Sequence, residues 1–254
     1  MIVAGIDVGA VATKAVILKD GKIIGSGVAR TGFEQKESVD KALEEAIKEA
    51  GISRSDVERV GSTGAGSEVV DFANTQLSDV EASALGANSL FPQARTVVDV
   101  GGEESRGIKV NEKGKVVDFA LNERCAAGAG TAVEALARAL EVKTEEMSGL
   151  ASKSTKDLEI NAQCVIFMES EVVSLIHAKE AKPDIAKAIH DGIVTRIVSM
   201  IKRVGIEKEV ALIGGTIHNG NLTGLLKEHL ATDVLIPENP QTVGALGAAI
   251  YAAS

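Results

Sequence analysis

The feature that most constrains this chain is a repeat. Met1 to Asp7 is a run of small and β-branched residues ending on Asp7-Val8-Gly9, and Arg95 to Asp99 runs the same way into Asp99-Val100-Gly101-Gly102. The two aspartates lie 92 residues apart. After the first, Ala15-Val16-Ile17-Leu18 and Lys22-Ile23-Ile24 flank an Asp20-Gly21 turn; after the second, Ile108-Lys109-Val110 and Lys115-Val116-Val117 flank Lys113-Gly114. The turn glycines are 93 apart, so register survives across two features. That offset is too long for a solenoid period and predicts two duplicated α/β lobes whose acidic turns face one cleft.

Helices are expected over Ser38 to Ala50, closed by Gly51, and over Thr131 to Val142, Asn161 to Ala178 and Pro183 to Val204, with further strands near Val57 to Val60 and Val210 to Ile213. A turn at Phe91-Pro92 sets the expected boundary. Lobe I is then 1–91 and lobe II, with both cysteines, is 92–240; a helix over 241–254 packs back on lobe I.

Within 254 residues there are 27 basic and 36 acidic side chains, a net charge of −9. Phosphate contacts need a basic face, so nucleic acid is not the expected partner. No apolar run reaches the length of a membrane span and the N-terminus has no basic region followed by an apolar one, so the expectation is a soluble, cytoplasmic protein with no membrane partner. Cys125 and Cys164 are too few for a disulfide framework.

Three strand ends carry glycine: Asp7-x-Gly9-x-x-x-Thr13-Lys14, Asp99-x-Gly101-Gly102 and Gly214-Gly215-Thr216; Ser62-Thr63-Gly64-Ala65-Gly66 follows a fourth. Glycine lets backbone N–H groups curl toward an anion, and a nearby carboxylate can hold Mg²⁺ against nucleotide phosphates. Any one of these turns could merely reverse the chain; two acidic copies on a duplicated frame favour a nucleotide. Neither a Walker A pattern nor a dinucleotide G-x-G-x-x-G follows a strand. In this order the turns resemble the phosphate-1, phosphate-2 and adenosine motifs of the actin, Hsp70 and sugar-kinase ATPase superfamily. The resemblance spans nearly the whole chain. It implies a ribonuclease H-like fold of two lobes with ATP or ADP in the cleft. Asp7 and Asp99 would surround Mg²⁺, with Glu103 beside them in the catalytic set; Gly9, Thr13, Lys14, Gly101 and Gly102 would lie near phosphate, and Gly214 and Gly215 under the adenosine.

Cys125 lies in Asn122-Glu123-Arg124-Cys125-Ala126-Ala127-Gly128-Ala129-Gly130, just before a helical stretch, and Cys164 in Asn161-Ala162-Gln163-Cys164, in a first helical turn that Asn161 can cap. A helix N-terminus suits the thiolate, the form that binds metal. Each cysteine alone could be a small buried apolar residue. Two thiolates are half of what a four-iron, four-sulfur cluster needs, and a zinc site with His177 and His190 lacks ligand spacing. Both cysteines are expected to start helices away from the glycine turns.

The segments Arg124 to Gly130 and Asn161-Ala162-Gln163-Cys164-Val165-Ile166-Phe167-Met168-Glu169-Ser170-Glu171 resemble the two cysteine motifs of the BadF/BadG/BcrA/BcrD ATPase family. That resemblance implies a [4Fe-4S] cluster shared between two subunits, with Cys125 and Cys164 as this chain's ligands. It further implies a homodimer, or a heterodimer with a related ATPase subunit, and ATP-driven electron transfer to an iron-sulfur reductase or dehydratase. Activators of 2-hydroxyacyl-CoA dehydratases usually carry Gln-Asp where Glu103-Glu104 stand, and Ser where Ala10 stands. The wording is closer to the benzoyl-CoA reductase ATPase branch, which is the expectation; a dehydratase activator is the alternative, and an N-acetylglucosamine-type kinase a further one. Glu169, Glu171, His177, His190, His218 and His229 show no catalytic pattern.

Overall fold

A computed structural model describes residues 1–122, 130–161 and 164–254. The chain opens with β1 (Ile2–Val8), β2 (Ala12–Lys19) and β3 (Lys22–Arg30), an antiparallel meander. Asp20 and Gly21 join β2 to β3 with φ of 51° and 79°, the paired positive values that a tight two-residue hairpin turn requires. Helix α1 (Gln35–Ala50) ends at Gly51, which adopts the left-handed conformation. There follow β4 (Arg59–Thr63), β5 (Thr75–Gln76) and α2 (Asp79–Leu90).

The second meander is β6 (Thr96–Val100), β7 (Ser105–Val110) and β8 (Val116–Leu121). Helices α3 (Gly130–Ala139), α4 (Thr144–Ala151), α5 (Val165–His177) and α6 (Lys182–Val204) come next, then β9 (Val210–Ile213), α7 (Gly220–Leu230), β10 (Val234–Leu235) and α8 (Val243–Ala253). The sheets run β3-β2-β1-β4-β5 and β8-β7-β6-β9-β10, and in each the fourth strand of the set lies parallel to the first. One topology is used twice. The second copy is longer because α3, α4 and α5 are inserted between its meander and its next long helix.

Helix α8 lies on β1 and β4, where Gly5 and Gly61 leave its backbone room: a Cβ at Gly5 would meet the Ala245 carbonyl, and one at Gly61 the Ala248 carbonyl. Helix α2 packs on the second sheet, with Ala84 and Ala87 in one cluster with Val97, Ile108 and Ile213. The two helices cross where Gly86 of α2 meets Val243 and Gly247 of α8 meets Ala82. Close backbone approach replaces large side chains here, which accounts for a chain that folds with only five Phe and one Tyr.

Two expectations about elements change. Cys164 is itself the N-cap of α5, which starts at Val165 rather than Asn161; the Asn161 N–H donates instead to the Glu171 carboxylate at 2.9 Å. Helices α2, α4 and α7 add to the expected set; their sequence signal is weak because Gly and Ser interrupt the first two and the His218-Asn219-Gly220 stretch resembles a turn. The Asn219 side chain in fact caps α7 by accepting the Leu222 N–H at 3.1 Å. Among the described residues no helix is long and apolar enough to cross a membrane.

Candidate functional site

The duplicated meanders bring matching atoms to the floor of one cleft. Cross-strand register sets Asp7 opposite Lys14 and Asp99 opposite Arg106. Lys14 Nζ lies 3.0 Å from Asp7 Oδ2, and Arg106 Nη1 lies 3.0 Å from Asp99 Oδ2. The turns match as well: the Gly9 N–H donates to the Ala12 carbonyl at 3.2 Å, and that of Gly101 to the Glu104 carbonyl at 2.9 Å. Behind each aspartate stands a glycine with positive φ, 95° at Gly64 and 97° at Gly214. A Cβ on Gly64 would come within 2.6 Å of Asp7 Oδ1, and one on Gly214 within 2.6 Å of Asp99 Oδ1.

The second half is more heavily charged. Arg106 Nη2 also reaches Asp79 Oδ2 and Glu104 Oε2, each at 2.6 Å, and Ser83 donates to Asp99 Oδ2 at 2.8 Å. Burial alone would lower the Arg106 pKa, but the charges of Asp99, Asp79 and Glu104 outweigh it and hold the guanidinium above its ordinary value. Sequence reasoning alone does not single out Arg106, Asp79 or Ser83. A signal for Arg106 exists, since the 92-residue offset that carries Asp7 to Asp99 also carries Lys14 to Arg106.

The cleft has a volume of about 790 Å³, and Asp7, Gly9, Lys14, Asp99, Gly101, Gly102, Glu103, Gly214 and Gly215 all line it. That size suits a small-molecule ligand. Thr13 alone of the expected phosphate residues is elsewhere: it is fully buried, with its hydroxyl 2.9 Å from Thr31 Oγ1 and 3.1 Å from Ser38 Oγ. The α7 cap also faces the cleft through Asn219. Behind it, buried His190 accepts at Nε2 from Asn219 Nδ2 at 3.1 Å and donates from Nδ1 to Asn221 Oδ1 at 2.8 Å, roles set by the Asn219 oxygen being taken up in the cap. Burial lowers the His190 pKa.

For a magnesium nucleotide the donor set fits. Mg²⁺ keeps several waters and takes one or two carboxylates plus phosphate oxygens, and two aspartates with glycine turns beside them supply that. For an iron-sulfur cluster, Cys125 lies outside the described residues, and Cys164 is a free, half-buried thiol at the start of α5. Just beyond it Ile166 and Phe167 are 70% and 66% exposed. A half-buried thiol beside exposed apolar side chains fits a ligand shared with a second chain.

The first turn of α3 is bonded to the glycine turn. The Gly130 N–H donates to the Gly101 carbonyl at 3.0 Å and the Thr131 N–H to the Gly102 carbonyl at 2.8 Å, while Thr216 Oγ1 donates to the same Gly101 carbonyl at 2.9 Å. The start of α3 is therefore joined to a glycine turn rather than away from it, while the expected position of Cys125 lies outside the described residues.

Two sheets of one topology around a cleft of acidic and glycine turns define a two-lobed ATPase of the actin and Hsp70 kind. The chain belongs to the BadF/BadG/BcrA/BcrD ATPase family, whose pattern it matches over residues 4–252. It is 37% identical to the activator of lactoyl-CoA dehydratase from Anaerotignum propionicum, over 99% of this chain and 97% of that protein. It is 30% identical to a benzoyl-CoA reductase subunit from Thauera aromatica, over 99% and 93%. The crystal structure of Acidaminococcus fermentans (R)-2-hydroxyglutaryl-CoA dehydratase component A superposes with a TM-score of 0.95 at 35% identity, covering 99% of this chain and 97% of that one. The Clostridium difficile activator of 2-hydroxyisocaproyl-CoA dehydratase with bound ADPNP superposes at 0.93 and 32%, covering 99% and 94%. The likeness thus favours the dehydratase activators over the benzoyl-CoA reductase branch that Glu103-Glu104 and the Cys125 to Gly130 wording suggested, because two short stretches weigh less than identity spread along the whole chain.

Proposed function

We propose that this chain is an ATP-hydrolysing activator that passes electrons to a 2-hydroxyacyl-CoA dehydratase. Asp7 and Asp99 hold Mg²⁺ directly or through water, the N–H groups of the glycine turns that are not bonded within the protein meet the phosphates, and Lys14 offsets their charge. Glu103 orients the attacking water, and Gly214 and Gly215 underlie the adenosine. Thr13 serves the site from behind, by fixing β2 against Thr31 and Ser38.

Cys125 and Cys164 supply two of the four thiolates of a [4Fe-4S] cluster, and a second copy of the chain supplies the others. When bound, the cluster supplies single electrons at low potential. The observation that carries the coupling is the bond pair from Gly101 and Gly102 to the first turn of α3. Any nucleotide that shifts the glycine turn pulls on the segment that bears Cys125, five residues before Gly130.

The test is reconstitution. The anaerobically purified chain, given ATP and a low-potential reductant, is mixed with a dehydratase or with the catalytic subunits of benzoyl-CoA reductase. The proposal expects ATP-dependent product from the dehydratase; product only from the reductase overturns it in favour of the other branch.

A further inference from the structure

We propose that Asp79 and Arg106 form a positioning pair that ties the two sheets together across the cleft floor and aims Asp99 at the metal. This rests on the nucleotide reading of the cleft. Asp79 is the first residue of α2. Its Oδ1 accepts the Gly64 N–H at 2.6 Å and the Thr63 hydroxyl at 3.3 Å, both at the end of β4 in the first sheet. Its Oδ2 accepts Arg106 Nη2 on β7 in the second sheet at 2.6 Å. One carboxylate therefore joins the turn behind Asp7 to the cation beside Asp99.

The pair is sheltered, with side-chain exposures of 24% for Asp79 and 15% for Arg106, and 10% for Asp99. Water screens such charges less than surface ones. Arg106, with Ser83, takes Oδ2 of Asp99 and so orients the carboxylate, while Oδ1 lies beside Gly214, where a Cβ would crowd it. Its planar fork holds three acceptors in fixed directions, where an ammonium offers three donors on a rotating point charge. Three carboxylates around one guanidinium leave an excess of two negative charges, the complement of one divalent cation. Among the described residues the first half has no such tie: α8 opens with Val243-Gly244, and the space beside Asp7 Oδ2 faces Gly244, which has no side chain.

The experiment is ATP hydrolysis by the full chain over a range of Mg²⁺ and ATP, for wild type, Asp99→Asn, Asp79→Asn, Arg106→Gln, Arg106→Lys and the Asp79→Asn/Arg106→Gln double variant. Asp79→Asn and Arg106→Gln should each lower kcat about tenfold and raise the Mg²⁺ requirement, with KM for ATP changing less, the scale of losing an outer partner of a metal ligand; Asp99→Asn should lose far more. The double variant should be no worse than the poorer single one. Arg106→Lys should recover part of kcat. Multiplying single effects, or single variants that melt earlier yet keep wild-type kcat and Mg²⁺ dependence, overturn the pair as a positioning device. If Arg106→Gln does not fold, Asp79→Asn and Arg106→Lys carry the test with the same split of kcat from KM. A wild type that does not hydrolyse Mg·ATP overturns the nucleotide reading and the pair with it. An active wild type with a dead Asp99→Asn and unaffected pair variants overturns the pair alone.

Discussion

The two halves of this molecule are built on one plan and differ in what they attach to it. Both place an aspartate at a strand end, a cation seven residues on across the hairpin, and a positive-φ glycine behind. In the first half Lys14 meets Asp7 at 3.0 Å. In the second Arg106 holds Asp99, Asp79 and Glu104, and the glycine turn beside it is bonded to α3. On the proposed reading both halves hold the nucleotide, and the second alone is bonded to the helices that follow its meander. An insertion of helices on one side only is how a symmetric cleft acquires a direction.

The largest expected effect compares the aspartates. Asp7→Asn and Asp99→Asn should each cost more Mg²⁺-dependent turnover than the about 10–100-fold typical of an outer partner, because a neutral amide holds the cation poorly. Asp99→Asn should also lower stability more than Asp7→Asn, since it leaves Arg106 with an altered partner in a sheltered site. Steady-state hydrolysis and urea unfolding read the two quantities. Equal stability losses would remove the asymmetry.

The glycines test the sameness of the halves. Gly64→Ala and Gly214→Ala should destabilise similarly, by about 1–3 kcal/mol, because each puts a Cβ into its aspartate. Gly51→Ala, at φ 65° with open space around it, should cost only the left-handed penalty of about 1–2 kcal/mol and spare nucleotide binding.

The duplication was legible because it is carried by strand ends, where Asp, Gly and β-branched residues are each required by backbone geometry. The same offset located Asp7, Asp99 and the glycine turns. What stayed hidden depends on tertiary approach. Asp79 opens a helix whose sequence is interrupted by Ser83 and Gly86, and its use is seen only once α2 crosses α8. Thr13 matched the phosphate motif by position, but strand alternation turns its side chain inward. The α3 tie joins backbone atoms of Gly101 and Gly130, far apart in the chain, for which side-chain type gives no sign.

Acid should separate the halves next. All four histidines, at 177, 190, 218 and 229, follow the second meander. Burial lowers the His190 pKa below its ordinary 6.5, so below that pH the unfolded chain binds a proton that the folded chain refuses. Stability is full above pH 6.5 and falls as pH drops, by up to about 1.4 kcal/mol per pH unit for this group, until the folded pKa is reached. Hydrogen exchange between pH 7 and 5 should loosen α6 and α7 before the first sheet, and His190→Gln should flatten the trend. Equal loosening in both halves contradicts it. The smallest effect is at the surface: the exposed Lys36–Asp71 pair at 2.7 Å is screened by water, and Asp71→Asn should leave turnover and Tm unchanged within error.

Iron and nucleotide measured on the same anaerobic preparations of wild type and Cys164→Ala bear most directly on the coupling of one cleft to one shared cluster. The account predicts about four irons per pair of wild-type chains, little or none in the variant, and ADP binding retained in both. Iron at the wild-type ratio in Cys164→Ala, or a colourless wild-type protein after full reconstitution, contradicts it.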